Sequence, residues 1–193
     1  IMTSNKHERA LDRVAEAIEK SNFKVNEDDI VLNVQGDEPM LQPDMITSTV
    51  QPMIDDKDVN GVVLSMPIID KEQYYDPNTL KIIHNIKGDI LYTSHAPIPY
   101  CKEFSIDLEA KRIYGVFGFR WKFLKKFTEM PESPLELVEA CDSNRLYDNG
   151  MTQRVAFYQY VDSFAVDIPE DAEKVEAHIK LDPFWKKYNK YLE

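Results

Sequence analysis

A polar segment directly after an apolar run carries the strongest chemical signal in this sequence. Residues 30–35 have the composition of a buried strand, which delivers Gln35, Gly36 and Asp37 to its carboxyl end. Open α/β sheets bind ligands at that end of their strands. A carboxylate there can hold Mg²⁺, which uses one or two carboxylates and completes its shell with water and phosphate oxygens. Asp and Gly also favour turns, so the residues alone fit a capped turn equally well.

A second acidic residue, Asp167, stands before a predicted helix near the end of the chain. It follows the apolar Val166 and precedes Pro169, and the helical pattern covers residues 170–179. Taken alone, Asp167 fits the N-cap of that helix, the usual role of Asp at this position. If the fold brings Asp167 close to Asp37, the two carboxylates make a metal site.

Four basic or titratable side chains are candidates for contact with an anionic ligand. Arg9 and Arg13 stand four residues apart on one predicted helix, where they either contact a nucleotide or pair with neighbouring carboxylates. Lys81 lies in an apolar strand. There it either prevents an edge strand from pairing with another chain or contacts an anionic substrate. His95 lies in a polar loop, where an ordinary loop residue is more common than a catalyst.

The elements that must position these groups alternate between helical and strand patterns. Apolar residues at i, i+3, i+4 and i+7 predict an amphipathic helix over residues 8–21. Further helices are predicted over residues 43–54, 121–129, 133–145 and 170–179, and strands over residues 30–35, 61–69, 80–84, 90–93, 113–119 and 154–160. A helix between two buried strands favours a right-handed βαβ unit and a parallel sheet. Residues 74–120 instead resemble a more antiparallel insertion.

Composition excludes several classes of protein. The chain has 193 residues, 43% of them hydrophobic and 30% charged, as folded domains do. Its net charge of −11 argues against broad electrostatic binding to nucleic acid or an anionic membrane. No apolar run approaches the ~20 residues of a membrane span. Cys101 and Cys141 are too few for a disulfide framework or a cysteine zinc site, so a cytoplasmic setting is expected. The chain opens with Ile1 and no signal-peptide pattern, so we expect further residues upstream.

Several motifs, in the same order along the chain, resemble the 3-deoxy-manno-octulosonate cytidylyltransferases, also called CMP-Kdo synthetases. The run NVQGDEP at residues 33–39 is similar to the signature of that family. Similar segments lie at residues 7–16, 76–81, 96–100, 115–120, 133–136 and 166–171. The resemblance covers nearly the whole chain, which is expected to form one nucleotidyltransferase domain over residues 1–193 that lacks its N-terminal phosphate-loop segment.

The resemblance implies a fold and a reaction. The fold is an α/β, Rossmann-like nucleotidyltransferase with a mainly parallel core sheet and a smaller β-rich insertion at about 74–120, which would bind the sugar and form a homodimer. In the reaction, the anomeric hydroxyl of Kdo or a related 3-deoxy-ulosonic acid attacks the α-phosphate of CTP and releases pyrophosphate. The implied partners are CTP and an acidic keto-sugar, and the implied cofactor is Mg²⁺, which neutralises the two anions.

The resemblance also implies roles for particular residues. Asp37 and Asp167 would be the catalytic magnesium ligands. The nucleotide-binding candidates are Arg9, Arg13, Gln35 and Gly36, and the substrate-binding candidates are Gln35, Lys81, His95, Arg120, Glu136 and Ser143. The sequence departs from the family pattern where Ile113, His95 and Ser143 replace the usual His, Arg and Gln. These changes alter hydrogen-bonding groups in the acceptor pocket, so a different acid, such as another ulosonate or a phosphonate, and a non-catalytic homologue remain alternatives.

Overall fold

A computed structural model of the chain describes residues 1–7 and 9–191, which contain six strands, eight α-helices and two short 3-10 helices, Ile106–Leu108 and Asn189–Tyr191. The strands are β1 (Ile30–Val34), β2 (Gly61–Pro67), β3 (Lys81–His84), β4 (Ile90–Ser94), β5 (Lys111–Arg120) and β6 (Arg154–Phe157). The helices are α1 (Ala10–Glu19), α2 (Pro43–Asp55), α3 (Lys71–Tyr75), α4 (Trp121–Glu129), α5 (Pro134–Glu139), α6 (Ser143–Asp148), α7 (Pro169–Ile179) and α8 (Trp185–Tyr188). The first residue of the predicted helix over residues 8–21 lies outside the described residues.

All six strands form one sheet in which β5 occupies a central position. The strand order is β4-β3-β5-β2-β6, and β1 also pairs with β5. Both β1 and β2 are antiparallel to β5, so they run parallel to each other with β5 between them. In the described residues, β2 and β6 form the one parallel pair of hydrogen-bonded neighbours. The α/β class is therefore confirmed, but the expected mainly parallel pairing is wrong, because β5 enters between the two strands of the predicted βαβ unit.

The segment at 74–120 has the antiparallel character that its sequence indicates. Strand β3 pairs antiparallel with β4 and with the start of β5. Strand β5 then continues along β1 and β2, so the last part of the segment is a core strand and not an addition beside the core. The expected roles of the segment in sugar binding and dimerisation stay predictions.

Helices cover both faces of the sheet because strand residues alternate between them. On one face, Val63 and Phe117 pack with α1 and α4 in the largest cluster of buried apolar residues. On the other face, Leu64 and Val116 pack with Met45 of α2. A two-residue irregularity in the pairing of β2 with β5 falls between Val63 and Ser65, opposite residues 113–117 of β5. This irregularity lies beside a cleft that Ile113, Gly115 and Phe117 line.

The helices depart from the sequence-based expectation in two places, apart from small shifts at element ends. The helix predicted over residues 133–145 is two helices, α5 and α6, separated by Ala140 in a left-handed conformation at φ 49°. Helix α3 was not predicted, since five residues show too little periodicity. The helix over residues 121–129 is confirmed at both ends. Across the described residues, no helix combines the length and the apolar character needed to cross a membrane.

Candidate active site

A cleft of about 1120 Å³ opens beside the carboxyl end of β1. After β1, Gln35 and Glu38 line the cleft, whereas Gly36 and Asp37 between them do not. The rest of the lining comes partly from the 160–168 segment, the start of α1 and residues 140–143. Gln35 and Gly115 lie on its floor, and Asp167 and His95 lie on its rim. The position agrees with the rule that ligands bind outside the carboxyl ends of strands.

The two carboxylates predicted to hold a metal lie on neighbouring segments. The main-chain N–H of Val166 donates to the carbonyl oxygen of Asp37 at 2.8 Å, which ties the residue before Asp167 to Asp37 itself. Asp37 Oδ1 is buried and has no hydrogen-bond partner, whereas the Asp167 side chain is exposed. A buried carboxylate oxygen without a donor is suited to binding a cation. No group of three or more His, Cys, Asp or Glu side chains suited to a metal occurs among residues 1–7 and 9–191. Two carboxylates suffice for Mg²⁺ when water and phosphate supply the remaining oxygens.

Gln35 and Gly36 lie where the sequence placed them. Gln35 extends β1 by donating its N–H to the carbonyl of Gly115 at 2.9 Å, and its side chain lies over β5. A Cβ on Gly115 would lie 2.6 Å from Gln35 Oε1 and 2.7 Å from Glu38 Cγ. Gly115 is therefore needed for the close packing of both side chains on the strand. A Cβ on Gly36 would meet nothing within 4 Å, so the chain itself does not require glycine there.

Glu38 and Arg112 are two oppositely charged cleft residues that were not among the candidates predicted from the sequence. Glu38 Oε1 accepts from the Gly115 N–H at 3.1 Å, but its Oε2 is buried without a partner. Burial raises the pKa of Glu38, against the opposing effects of the Gly115 N–H and Arg112. Burial lowers the pKa of Arg112, and the Glu38 charge partly restores it. Arg112 Nε is also buried without a partner, so the guanidinium can bind an anion that enters the cleft.

Acidic residues outnumber basic ones in the described lining of the cleft. The acidic residues are Glu38, Asp70, Glu72, Asp76, Asp142, Asp167 and Asp171, and the arginine and lysine residues are Arg112 and Lys174. Lys174 already pairs with Asp171 at 2.9 Å. Two anionic substrates would be repelled by such a lining unless a divalent cation neutralised part of the charge.

Ser143 and His95, the two residues expected to contact the acceptor, both line the cleft. Ser143 is fully buried, and its Oγ has no hydrogen-bond partner. The neighbouring Asp142 also lines the cleft, and burial raises its pKa, against the Leu11 N–H that lowers it. Ile113 adds an apolar surface between them. The contacts of Ser143 and His95 with a substrate stay predictions.

The structure gives Lys81 a different role from the expected substrate contact. Its side chain is fully buried, and its Nζ donates to the carbonyls of Asp76 at 2.6 Å and His95 at 2.9 Å. Burial lowers its pKa, while the charges of Asp76 and Glu139 raise it. Because β3 lies between β4 and β5, Lys81 does not guard a sheet edge either. The lysine holds two loops together beneath the rim of the cleft.

The predicted substrate contact by Arg120 is also wrong. It is 7% exposed, and its guanidinium donates to the carbonyls of Val59, Asp28 and Met53 at 3.2, 3.0 and 2.8 Å. It stands five residues beyond Gly115 on β5, or about 17 Å along an extended strand. Arg120 therefore anchors the opposite end of the sheet instead of contacting substrate.

Glu136 is a structural anchor and not an exposed substrate ligand. It is fully buried, accepts from Arg145 Nε at 2.7 Å and Nη2 at 2.6 Å, and completes a capping box with Ser133. Arg9 Nε lies 3.6 Å from Glu136 Oε1. Arg13 donates to the carbonyls of Ser4 and His7 at 3.3 and 2.6 Å. Neither arginine belongs to the described lining of the cleft, and nucleotide contact by them stays a prediction.

Comparisons with known proteins agree with this geometry. Residues 1–160 match the family model described as cytidylyltransferase. A 3-deoxy-manno-octulosonate cytidylyltransferase from Syntrophotalea carbinolica is 36% identical over 93% of this chain and 72% of its own length. The enzyme of the same name from Thermodesulfovibrio yellowstonii is 35% identical over 91% of this chain and 71% of its length.

Solved structures show the same likeness. The structure of CMP:2-keto-3-deoxy-manno-octonic acid synthetase complexed with CTP superposes with a TM-score of 0.80 at 31% identity, over 94% of this chain and 72% of that one. A 2-C-methyl-D-erythritol 4-phosphate cytidylyltransferase from Francisella tularensis shares 11% identity and a TM-score of 0.53, over 89% of this chain and 68% of that one, and so shares the fold alone.

Proposed function

The chain belongs to the cytidylyltransferase family, among the 3-deoxy-manno-octulosonate cytidylyltransferases, and from this premise we propose how its cleft works. It is a nucleotidyltransferase that transfers CMP from CTP to the anomeric hydroxyl of Kdo or a related 3-deoxy-ulosonic acid and releases pyrophosphate. The observation that carries the mechanism is the hydrogen bond from Val166 to Asp37, because it sets two acidic segments side by side at the cleft.

Magnesium is the proposed cofactor, with Asp37 and Asp167 as its protein ligands. The unpartnered, buried Asp37 Oδ1 and the acidic lining of the cleft both support this assignment. When bound, the ion would neutralise phosphate charge and help to align the two substrates. The protein's own contribution is to hold the two segments that carry these carboxylates together through the main chain, which sets their spacing before substrate binds.

Residues on the floor and walls of the cleft would position the two substrates. Gln35 and the open surface at Gly36 are proposed to contact the nucleotide and the sugar. Arg112 offers an unpaired Nε and is the proposed partner for an anionic group, either the sugar carboxylate or a phosphate. His95 and Ser143 are proposed to contact acceptor hydroxyls. In-line phosphoryl transfer depends mainly on such positioning and charge stabilisation.

Pyrophosphate release tests the proposal directly. The purified protein would be incubated with CTP, Mg²⁺ and a panel of acids that includes Kdo, other ulosonates and a phosphonate. We expect release with Kdo or a close relative, dependence on the divalent ion, and a CMP-sugar product visible by mass spectrometry. Release with the phosphonate alone would instead assign a different acceptor, and no release with any acid would reject the proposed reaction.

A homodimer and a cytoplasmic location are also proposed, each from a different observation. Exposed apolar side chains on the segment at 74–120, among them Leu91, Tyr100 and Ile106, support a homodimer formed through this segment. Light scattering should then give twice the chain mass, and a monomer would contradict it. The two cysteines are both free, which fits a reducing cytoplasm.

A further inference from the structure

His95 is held at three points on the rim of the cleft. Its main-chain N–H donates to Glu139 Oε2 at 2.9 Å, and its carbonyl accepts from Lys81 Nζ at 2.9 Å. Its ring nitrogen Nδ1 makes a short hydrogen bond with the carbonyl of Pro77. Main chain and ring are thus fixed independently, which is more restraint than a loop side chain at the protein surface usually has.

The contact with Pro77 decides the tautomer of the imidazole. A carbonyl oxygen can only accept a hydrogen bond, so Nδ1 must carry the proton. In the neutral ring, Nε2 is then a hydrogen-bond acceptor. Nε2 makes no hydrogen bond within the part of the chain that the structure describes, and His95 lines the cleft, so this nitrogen is the one left for a ligand.

The two residues that hold the His95 main chain are themselves firmly held. Lys81 is fully buried, and its second hydrogen bond, to the Asp76 carbonyl, fixes the loop that also carries Pro77. Glu139 Oε1 accepts from Tyr92 Oη at 2.6 Å and Ser94 Oγ at 2.7 Å, which leaves Oε2 for the His95 N–H. These bonds lower the pKa of Glu139 although burial raises it, so the carboxylate stays charged.

We propose that Lys81 and Glu139 are positioning residues that fix His95 so that its Nε2 accepts a hydrogen bond from a hydroxyl of the acceptor sugar. The clamp they form consists of Lys81, Glu139 and the carbonyl of Pro77. It explains why a fully buried lysine lies beneath the rim without reaching the cleft. The inference rests on the proposed function, because it assigns the acceptor hydroxyl as the group that His95 recognises.

Two isosteric substitutions of His95 separate recognition from simple anchoring. In His95→Gln the side-chain amide lies near the position of Nε2, whereas in His95→Asn it lies near Nδ1. If Nε2 contacts the acceptor, KM for the sugar should rise about tenfold in H95N, the cost of one hydrogen bond, and clearly less in H95Q. KM for CTP should stay unchanged in both. The reverse order, or equal sugar KM in both variants and the wild type, would overturn the role of Nε2.

A double-mutant cycle tests the clamp. Lys81→Met and Glu139→Gln should each raise KM for the sugar severalfold and leave KM for CTP unchanged. Combined with H95N, neither should raise the sugar KM further, because the contact they position is already lost. Effects on KM that simply multiply would overturn the positioning role. Lys81→Arg serves if K81M does not fold, since it keeps the charge and should recover part of the sugar affinity.

The wild-type assay keeps the two proposals distinguishable. If the wild type releases no pyrophosphate with any ulosonate, the proposed function fails. If it does so and the His95 variants show unaltered sugar KM, only the clamp fails.

Discussion

The N–H of Val166 donates to the carbonyl of Asp37 at 2.8 Å, joining segments that are 129 positions apart in the chain. The bond places Asp167 one residue from the Asp37 segment, although no local pattern connects them. Because this bond joins main-chain atoms, the two carboxylate side chains are not needed to hold the segments together. The acidic pair can therefore be altered with little effect on folding.

Asp37→Asn and Asp167→Asn should each reduce turnover by at least about a hundredfold, because a neutral amide is a poor magnesium ligand. The melting temperature should hardly change, since Asp37 Oδ1 has no hydrogen-bond partner and the Asp167 side chain is exposed. Steady-state pyrophosphate release at several Mg²⁺ concentrations is the measurement. Glu170→Gln, an exposed carboxylate nearby, is the matched control. Unaltered turnover in D37N or D167N would reject the metal role of that residue.

Gly115→Ala should damage the site more than the fold. The added Cβ would lie 2.6 Å from Gln35 Oε1 and 2.7 Å from Glu38 Cγ, so both side chains must move from β5. We expect kcat/KM to fall by about tenfold or more, with a stability loss of about 1–3 kcal/mol from overpacking. Kinetics at a temperature well below the melting point, together with urea unfolding, separate the two effects. Wild-type kinetics would show that Gln35 and Glu38 need not occupy their observed positions.

Gly36→Ala gives the opposite test, since its Cβ would meet nothing within 4 Å of the protein. Stability should stay within about 0.5 kcal/mol of the wild type, as for a typical surface change. If the main chain at Gly36 lies against the nucleotide, KM for CTP should rise while KM for the sugar does not. Unchanged KM for both substrates would assign Gly36 to the turn alone.

Arg120→Met should destabilise the protein without changing the kinetic constants of the folded enzyme. It leaves the carbonyls of Val59, Asp28 and Met53 without their charged donor, a loss of about 3 kcal/mol. The remaining folded enzyme should keep the KM of the wild type for both substrates. A raised KM for the sugar at unaltered stability would restore the substrate contact first expected for Arg120.

Acid should remove the stabilising effect of Glu16. The hydrogen bond from Lys20, followed by those from Ser4 and His7, lowers the pKa of Glu16 to about 2. A carboxyl with a pKa below its unfolded value of about 4.3 stabilises the fold above that value and loses the effect as pH falls toward about 2. The stability difference between wild type and Glu16→Gln should therefore shrink from pH 6 to pH 3. Glu19→Gln, exposed on the same helix, is the control, and an unchanged difference across this range would contradict the assignment.

The sequence by itself determined most of the helices and strands and the segments that carry the candidate site residues. Apolar periodicity and proline positions are local signals, so α4 was predicted at both ends, and Gln35 was placed correctly at the carboxyl end of β1. The acidic residue beside a helix start was also visible at Asp167. Such features depend on residues within a few positions of one another, which a single sequence contains.

Only the tertiary structure decided which strands became neighbours and whether each basic side chain lines the cleft or is buried elsewhere. Strand β5 entered between β1 and β2, so the expected parallel pairing became two antiparallel ones. On that one strand Arg112 lines the cleft while Arg120 is buried at the far end. Lys81 likewise turned inward to two main-chain carbonyls. Strand order and the burial of a charge depend on contacts between residues far apart in the chain, and no local pattern of residues encodes them.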